Sequence, residues 1–199
     1  MKITIVRHGQ TDYNKRYTLQ GTLDVPLNEE GENQAKKLSL FLKDYHFDKI
    51  YASPLSRALQ TAKVINSHHN HDLEVVDDLR EIELGQWEGL TWKKVMESDK
   101  ETYDKWELDD ETLVFDGEII PRFHNRCVKA FLDIVSKHHD DDHILIVSHG
   151  GVIRAIVTYI LNIDREHRRN FSVENTSITE ISYYKGRFVI KTLNQHVHL

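Results

Sequence analysis

Apolar residues fall along this chain in two rhythms. Short runs with little interruption, at 2–6, 49–52, 73–76 and 143–147, read as strands, and the run Ile144-Leu145-Ile146-Val147 is apolar enough to be buried on both faces. Between them the apolar positions recur at helical spacing. Asn28 opens one helix, with Ala35, Leu38, Phe41, Leu42 and Tyr45 on a stripe. A second is predicted from Pro54, with Ser53 as its N-cap and Leu55, Ala58, Leu59, Ala62 and Ile65 on its inner face. A third, from Gly117 or Pro121 to Lys137, carries Phe123, Cys127, Ala130, Phe131 and Ile134. A fourth follows His149, with Val152, Ile153, Ala155, Ile156, Tyr159 and Ile160. Two final strands, 178–184 and 188–193, are split by Lys185-Gly186 and read as a hairpin. Strands alternating with helices predict an α/β three-layer sandwich: a mostly parallel central sheet, helices on both faces and an antiparallel edge. No repeat, low-complexity segment or linker interrupts the pattern, so residues 1–199 are expected to form a single domain.

Two stretches break the rhythm. Residues 14–27 form a polar loop too long for a simple turn, and loops of that length in compact domains usually carry function. Asn14 and Gln20 offer amide donors within it. Residues 90–118 hold Trp92, Tyr103, Trp106 and Phe115, and 97–118 carry ten acidic residues against two lysines. That excursion reads either as a charged helical stretch pinned by its aromatics or as a lid beside a binding pocket.

The chemistry gathers where strands end. Arg7-His8-Gly9 follows the first strand, Ser53-Pro54-Leu55-Ser56-Arg57 the second, and Ser148-His149-Gly150-Gly151 the strand at 143–147. Arginine presents a planar fork suited to phosphate or carboxylate. Histidine can serve as nucleophile, base or metal ligand. Ligands of open α/β sheets bind at the carboxyl ends of the strands. Three such exits together predict an anion site. Glu81, Glu83 and Glu88 stand near Gly85 as carboxylate candidates, and the residues by themselves do not rank them.

Charge and cysteine content narrow the field. The formal net charge of −6 argues against a nucleic-acid partner, while a local arginine and histidine cluster still suits a small anion. The lone cysteine, Cys127, forbids an internal disulfide and reads as an inert core thiol. No apolar run approaches the ~20 residues needed to cross a bilayer, and the first strand begins at once, leaving no room for a signal peptide. A cytoplasmic protein is expected. His68, His69 and His71, like His138, His139, His196 and His198, lack a companion ligand set and are expected to be solvated surface rather than a metal site.

The ordered motifs resemble those of the histidine phosphatase superfamily, the phosphoglycerate mutase-like proteins. The matching pieces are Arg7-His8-Gly9 with Thr11 and Asn14; Gln20-Gly21 with Asp24, Pro26 and Leu27; and Ser53 through Ala58. Leu79-Arg80-Glu81 follows, running to Gly85, Trp87, Glu88 and Gly89, and then Ser148 through Gly151. The resemblance implies His8 as a nucleophile that becomes phosphohistidine, Arg7, Arg57 and His149 as the phosphate clamp, and Glu81 as the proton donor. It adds Asn14, Gln20, Gly21 and Gly150 to the substrate-binding residues. Where the family often has an arginine this chain has Thr18, and the nearby charge is Arg16. The implied activity is metal-independent hydrolysis of a small phosphomonoester, with no cofactor, no nucleic acid and no membrane, and with a homodimer left open. A phosphoglycerate mutase and a phospho-ligand binding module are the alternatives. The mutases carry more than the sixty-seven residues found here between Glu81 and His149, and binding alone has no need of Glu81.

Overall fold

The computed structural model describes residues 1–107 and 116–199. Six strands form one sheet: β1 (Lys2–Arg7), β2 (Lys49–Ala52), β3 (Leu73–Val75), β4 (His143–Ser148), β5 (Ile178–Tyr184) and β6 (Arg187–Gln195). Their order is β3-β2-β4-β1-β5-β6. The first four run parallel, β5 pairs antiparallel with β1, and β6 antiparallel with β5. The fold is therefore the predicted α/β sandwich with an antiparallel edge. Lys185 and Gly186, at φ 48° and 80°, make the left-handed turn that joins the edge strands.

Because side chains alternate along a strand, each central strand feeds two cores. Ile144 and Ile146 pack with Ile3, Ile5 and Tyr51 against α6 (Ile120–Val135) and α7 (Gly150–Leu161). Leu145, Val147, Val6 and Ile50 pack on the other face against α2 (Glu29–Leu42) and α3 (Ser56–Asn66), α1 (Asp12–Lys15) being a short turn of helix after β1. This explains why the run at 143–147 shows no polar alternation: both of its faces are covered. Cys127 sits at 0% exposure in the first core, where burial pushes its thiol pKa up. Among the described residues no helix is long and apolar enough to cross a membrane.

Several local readings are corrected. Helix α3 begins at Ser56, not Pro54, and Ser53 does not cap it. Asp24, from the polar loop, accepts from the Ser56 N–H at 2.7 Å and from its hydroxyl at 2.8 Å, capping the helix from outside. His138 is not simply solvated: it bridges the Tyr51 hydroxyl and Asp142, each at 2.8 Å. His69 is half-buried, its ring edge-on to Phe47 at 5.0 Å. The excursion folds as two short helices, α4 (Trp92–Ser98) and α5 (Lys100–Glu107). They are fastened by Trp106 packed edge-on to buried Trp87 at 5.7 Å and by the Trp87 indole N–H donating to Asp99 at 3.0 Å. The rest of the excursion, residues 108–115 with Phe115, lies outside the described residues.

Candidate active site

The parallel arrangement brings β1, β2 and β4 to one sheet edge, and their exits meet there. The His8 N–H donates to the Ser148 carbonyl at 2.9 Å, and the Gly9 N–H to Thr61 on α3 at 3.1 Å. Gly9 lies against the first turn of α2, where a Cβ would come 2.5 Å from the Gly31 carbonyl oxygen. A side chain there would push the turn off the helix, so this glycine is required by close approach. Asn175, from the segment before β5, donates to the His8 carbonyl at 2.9 Å and closes the turn from the other side.

His8 is buried, and its Nδ1–H can donate to the Gly9 carbonyl at 2.7 Å. A carbonyl only accepts, so this contact assigns the proton to Nδ1 and leaves the lone pair on Nε2. Burial, then Arg57 and Arg7, hold the imidazole pKa well below its usual range. Its ring centroid is 5.2 Å from that of His149, which is fully buried. Burial, Arg57 and His8 depress the His149 pKa too. The Ser53 hydroxyl lies 2.7 Å from His149 Nε2, while Nδ1 is buried with no partner among the described residues. Ser53, expected as a helix cap, instead holds this ring.

Arg57 is the second residue of α3 and only 1% exposed. Its two terminal nitrogens donate to the carbonyls of Leu23 and Gly21, each at 2.8 Å, which leaves Nε buried with no partner among the described residues. Arg7 likewise donates to the Val173 carbonyl at 2.5 Å and keeps a buried Nε with no partner among the described residues. Burial brings both guanidinium pKa values down to about 10, so each remains charged at neutral pH.

Glu81 is held by two backbone donors, Ile82 N–H and Gly151 N–H, both at 3.0 Å. Its segment is tied to α6 by Arg126, which donates to the carbonyls of Asp78 at 2.8 Å and Arg80 at 3.0 Å while pairing with Glu118 at 2.8 Å. The three carboxylate candidates now separate. Glu83 is exposed. Glu88 accepts from the Thr22 N–H at 2.7 Å, the Thr22 hydroxyl at 3.0 Å and the Leu84 N–H at 3.2 Å, fastening the polar loop. Among the described residues Glu81 is the only carboxylate bordering the central cavity.

That cavity, about 250 Å³, is bordered by Arg7, His8, Asn14, Gln20, Gly21, Arg57, Glu81 and Gly150; His149 does not border it and lies fully buried beside His8. Asn14 accepts from Thr11 N–H at 3.1 Å, and Gln20 from the Thr11 hydroxyl at 2.9 Å. Both amide oxygens are thereby engaged, so each NH₂ is available to a ligand. Thr18 borders the cavity, whereas Arg16 is exposed and does not. Sequence reasoning missed Arg154, Arg168 and Arg169, which border it as well. Arg154 stands in a mostly apolar helix, and the other two in a 3₁₀ segment, Arg165–Arg169, that no apolar period announces. Arg169 stacks over Trp92 at 5.0 Å and Trp106 at 4.8 Å, joining this segment to the excursion. Glu81 thus faces five arginines, and a compact anion is what such a cavity would hold.

The chain is similar over nearly its whole length to proteins named as phosphatases. Phosphoserine phosphatase 1 of Hydrogenobacter thermophilus is 35% identical over 200 residues, covering 100% of this chain and 94% of that protein. Adenosylcobalamin/alpha-ribazole phosphatase of Salmonella typhimurium is 30% identical over 195 residues, covering 98% and 96%. The solved structure of Bacillus stearothermophilus YhfR superposes with a TM-score of 0.92 at 29% identity, over 99% of this chain and 98% of that one. The model of the histidine phosphatase superfamily (branch 1) matches residues 3–196, and the chain belongs to that superfamily.

Proposed function

We propose that this protein hydrolyses small phosphomonoesters through a phosphohistidine formed on His8, without a metal ion. One observation carries the reading. Three buried N–H groups, Arg7 Nε, Arg57 Nε and His149 Nδ1, lack acceptors among the described residues around an imidazole whose Nε2 holds the lone pair. Leaving a buried donor unpaired costs about 1–3 kcal/mol, and a phosphoryl group would satisfy all three at once. His149 serves as a donor through Nδ1 when the Ser53 hydroxyl donates to its Nε2.

In this reaction His8 Nε2 attacks phosphorus while the bond to the ester oxygen breaks, and Glu81 passes its proton to the departing alkoxide. Arg7, Arg57 and His149 oppose the charge on the phosphoryl oxygens, the work a metal does elsewhere. Asn14, Gln20, Gly21 and Gly150 complete the seat. Glu81, now a carboxylate, takes a proton from water as its oxygen attacks phosphorus. The P–N bond then breaks, its electron pair returns to Nε2, and inorganic phosphate leaves. Two relatives carry phosphatase names, one for phosphoserine and one for adenosylcobalamin/alpha-ribazole. In this proposal a single domain carries the site, and α4 and α5 act as the wall of the leaving-group pocket.

The test is a pair of variants assayed in EDTA. His8→Ala should lose both turnover and acid-labile phosphate labelling of the protein. Glu81→Gln should lose about 10²–10⁴-fold on alkyl phosphates and far less on a nitrophenyl phosphate, whose leaving group needs no proton. Wild-type activity lost in EDTA and restored by a divalent cation would contradict the reading.

A further inference from the structure

Residues 173–177, the stretch before β5, border no part of the cavity, yet they grip three residues that do. The Val173 carbonyl accepts from the Arg7 guanidinium, and the Ser177 carbonyl accepts from the Arg7 backbone N–H at 3.2 Å. The Thr176 N–H is shared between the carbonyls of Arg7 at 3.0 Å and His8 at 3.3 Å. Thr176 is fully buried and β-branched, and its φ of 56° lies in the left-handed region that such residues avoid. A conformation that costly persists where the surroundings over-determine it, and here it turns one N–H onto the two residues at the end of β1.

The side chain of Asn175 reaches further. Its NH₂ donates to the His8 carbonyl at 2.9 Å and to Asn14 Oδ1 at 3.3 Å. A carbonyl only accepts, so the group facing His8 is the NH₂, and its two hydrogens serve these two acceptors. Asn14 is fixed by the same logic. A backbone N–H only donates, so the Asn14 atom 3.1 Å from Thr11 N is the amide oxygen. That oxygen is held by Thr11 and Asn175 together, and the NH₂ is the end left for a ligand. Asn14 borders the cavity, whereas Thr11 and Asn175 do not. Asn175 therefore ties the backbone of His8 to the amide beside it, and helps set which end of that amide faces inward.

We propose that Asn175 is a positioning residue of this site, holding Asn14 with its NH₂ toward the phosphoryl group that His8 attacks. This rests on the phosphatase reading of the cavity. Asn175→Asp would set a carboxylate against two acceptors, the His8 carbonyl and Asn14 Oδ1. Asn14 relieves that clash by turning its amide over, which brings its oxygen to the cavity, where it repels the phosphoryl oxygens.

The probes are p-nitrophenyl phosphate as substrate and vanadate as inhibitor, because neither calls on the proton of Glu81. Asn175→Asp should lower kcat/KM by about 10²-fold and weaken vanadate inhibition by about tenfold or more. In an Asn14→Ala background the same substitution should cost at least about tenfold less in kcat/KM, because the group it acts through is gone. Asn175→Ala removes the donor without adding charge and should show the same dependence on Asn14 with smaller losses. Thermal unfolding reports stability separately. A destabilised variant with native kcat/KM and native vanadate inhibition would assign Asn175 to the fold alone and overturn the proposal, as would failure of both variants to fold. Equal fold-losses with and without Asn14 would overturn it too. An active wild type with such independent losses sinks this inference alone, whereas hydrolysis of no phosphomonoester sinks the phosphatase reading and this one with it.

Discussion

Gly151→Ala separates stability from chemistry at a single atom. Gly151 is the second residue of α7, and its N–H donates to Glu81 Oε2 at 3.0 Å. An added Cβ would stand 2.1 Å from Glu81 Oε1, 3.0 Å from its Cδ and 3.1 Å from Phe123 Cζ. Ordinary contact needs roughly 3.5 Å, so the carboxylate must retreat by about 1.4 Å or turn away from the helix. The helix itself gains, because alanine is favoured over glycine by up to about 1 kcal/mol. The fold should therefore persist with a melting temperature near that of the wild type. Displacing a proton donor by about 1 Å can cost ~10²-fold in rate. The loss should appear in kcat/KM for an alkyl ester such as sn-glycerol 3-phosphate, and should be several-fold smaller for p-nitrophenyl phosphate. Vanadate inhibition should change little, since Arg7, Arg57 and His149 are not displaced. Equal losses on alkyl and nitrophenyl esters, with a native unfolding curve, would refute the assignment of Glu81 as the acid. So would full activity on both.

Two further outcomes follow from the buried histidines. His8 and His149 have folded-state pKa values pushed well below the ordinary 6.5, so below that pH the unfolded chain takes up protons that the folded chain refuses. Their contribution is fully present above pH 6.5 and is lost on acidification, at about 1.4 kcal/mol per pH unit for each. Urea unfolding in phosphate-free buffer between pH 6.5 and 5 should show a shallower pH dependence for His149→Gln than for wild type, and an identical slope would contradict the buried neutral ring. Ser53→Ala removes the partner of His149 Nε2 at 2.7 Å and frees the ring to change tautomer. It should cost about 1–3 kcal/mol of stability and lower kcat, with the rate loss larger than that of Ser56→Ala on the neighbouring helix turn.

Much of this protein is determined by its sequence read locally. The uninterrupted run at 143–147 and the helical stripes of α2, α3, α6 and α7 encode the layers directly, because burial on one face or two leaves its period in the chain. The strand exits carrying Arg7, His8, Arg57 and His149 are legible for the same reason: strands in a parallel sheet end on one edge. Other features depend on partners far along the chain. Ser53 followed by Pro54 has every local mark of a helix cap. Its hydroxyl goes instead to His149, ninety-six positions away, while Asp24 reaches thirty-two positions to cap the helix. Glu81, Glu83 and Glu88 are near equals by residue type alone. Only the packing of Arg126, Gly151 and Thr22 around them puts one on the cavity, one in solvent and one under the polar loop. Arg154 is likewise silent in a helix otherwise read for its apolar face. Its place on the cavity is set by how α7 lies against β1 and the Glu81 segment. Local periodicity records how much of a residue is buried, whereas the atoms that face it are decided only when distant segments close on one another.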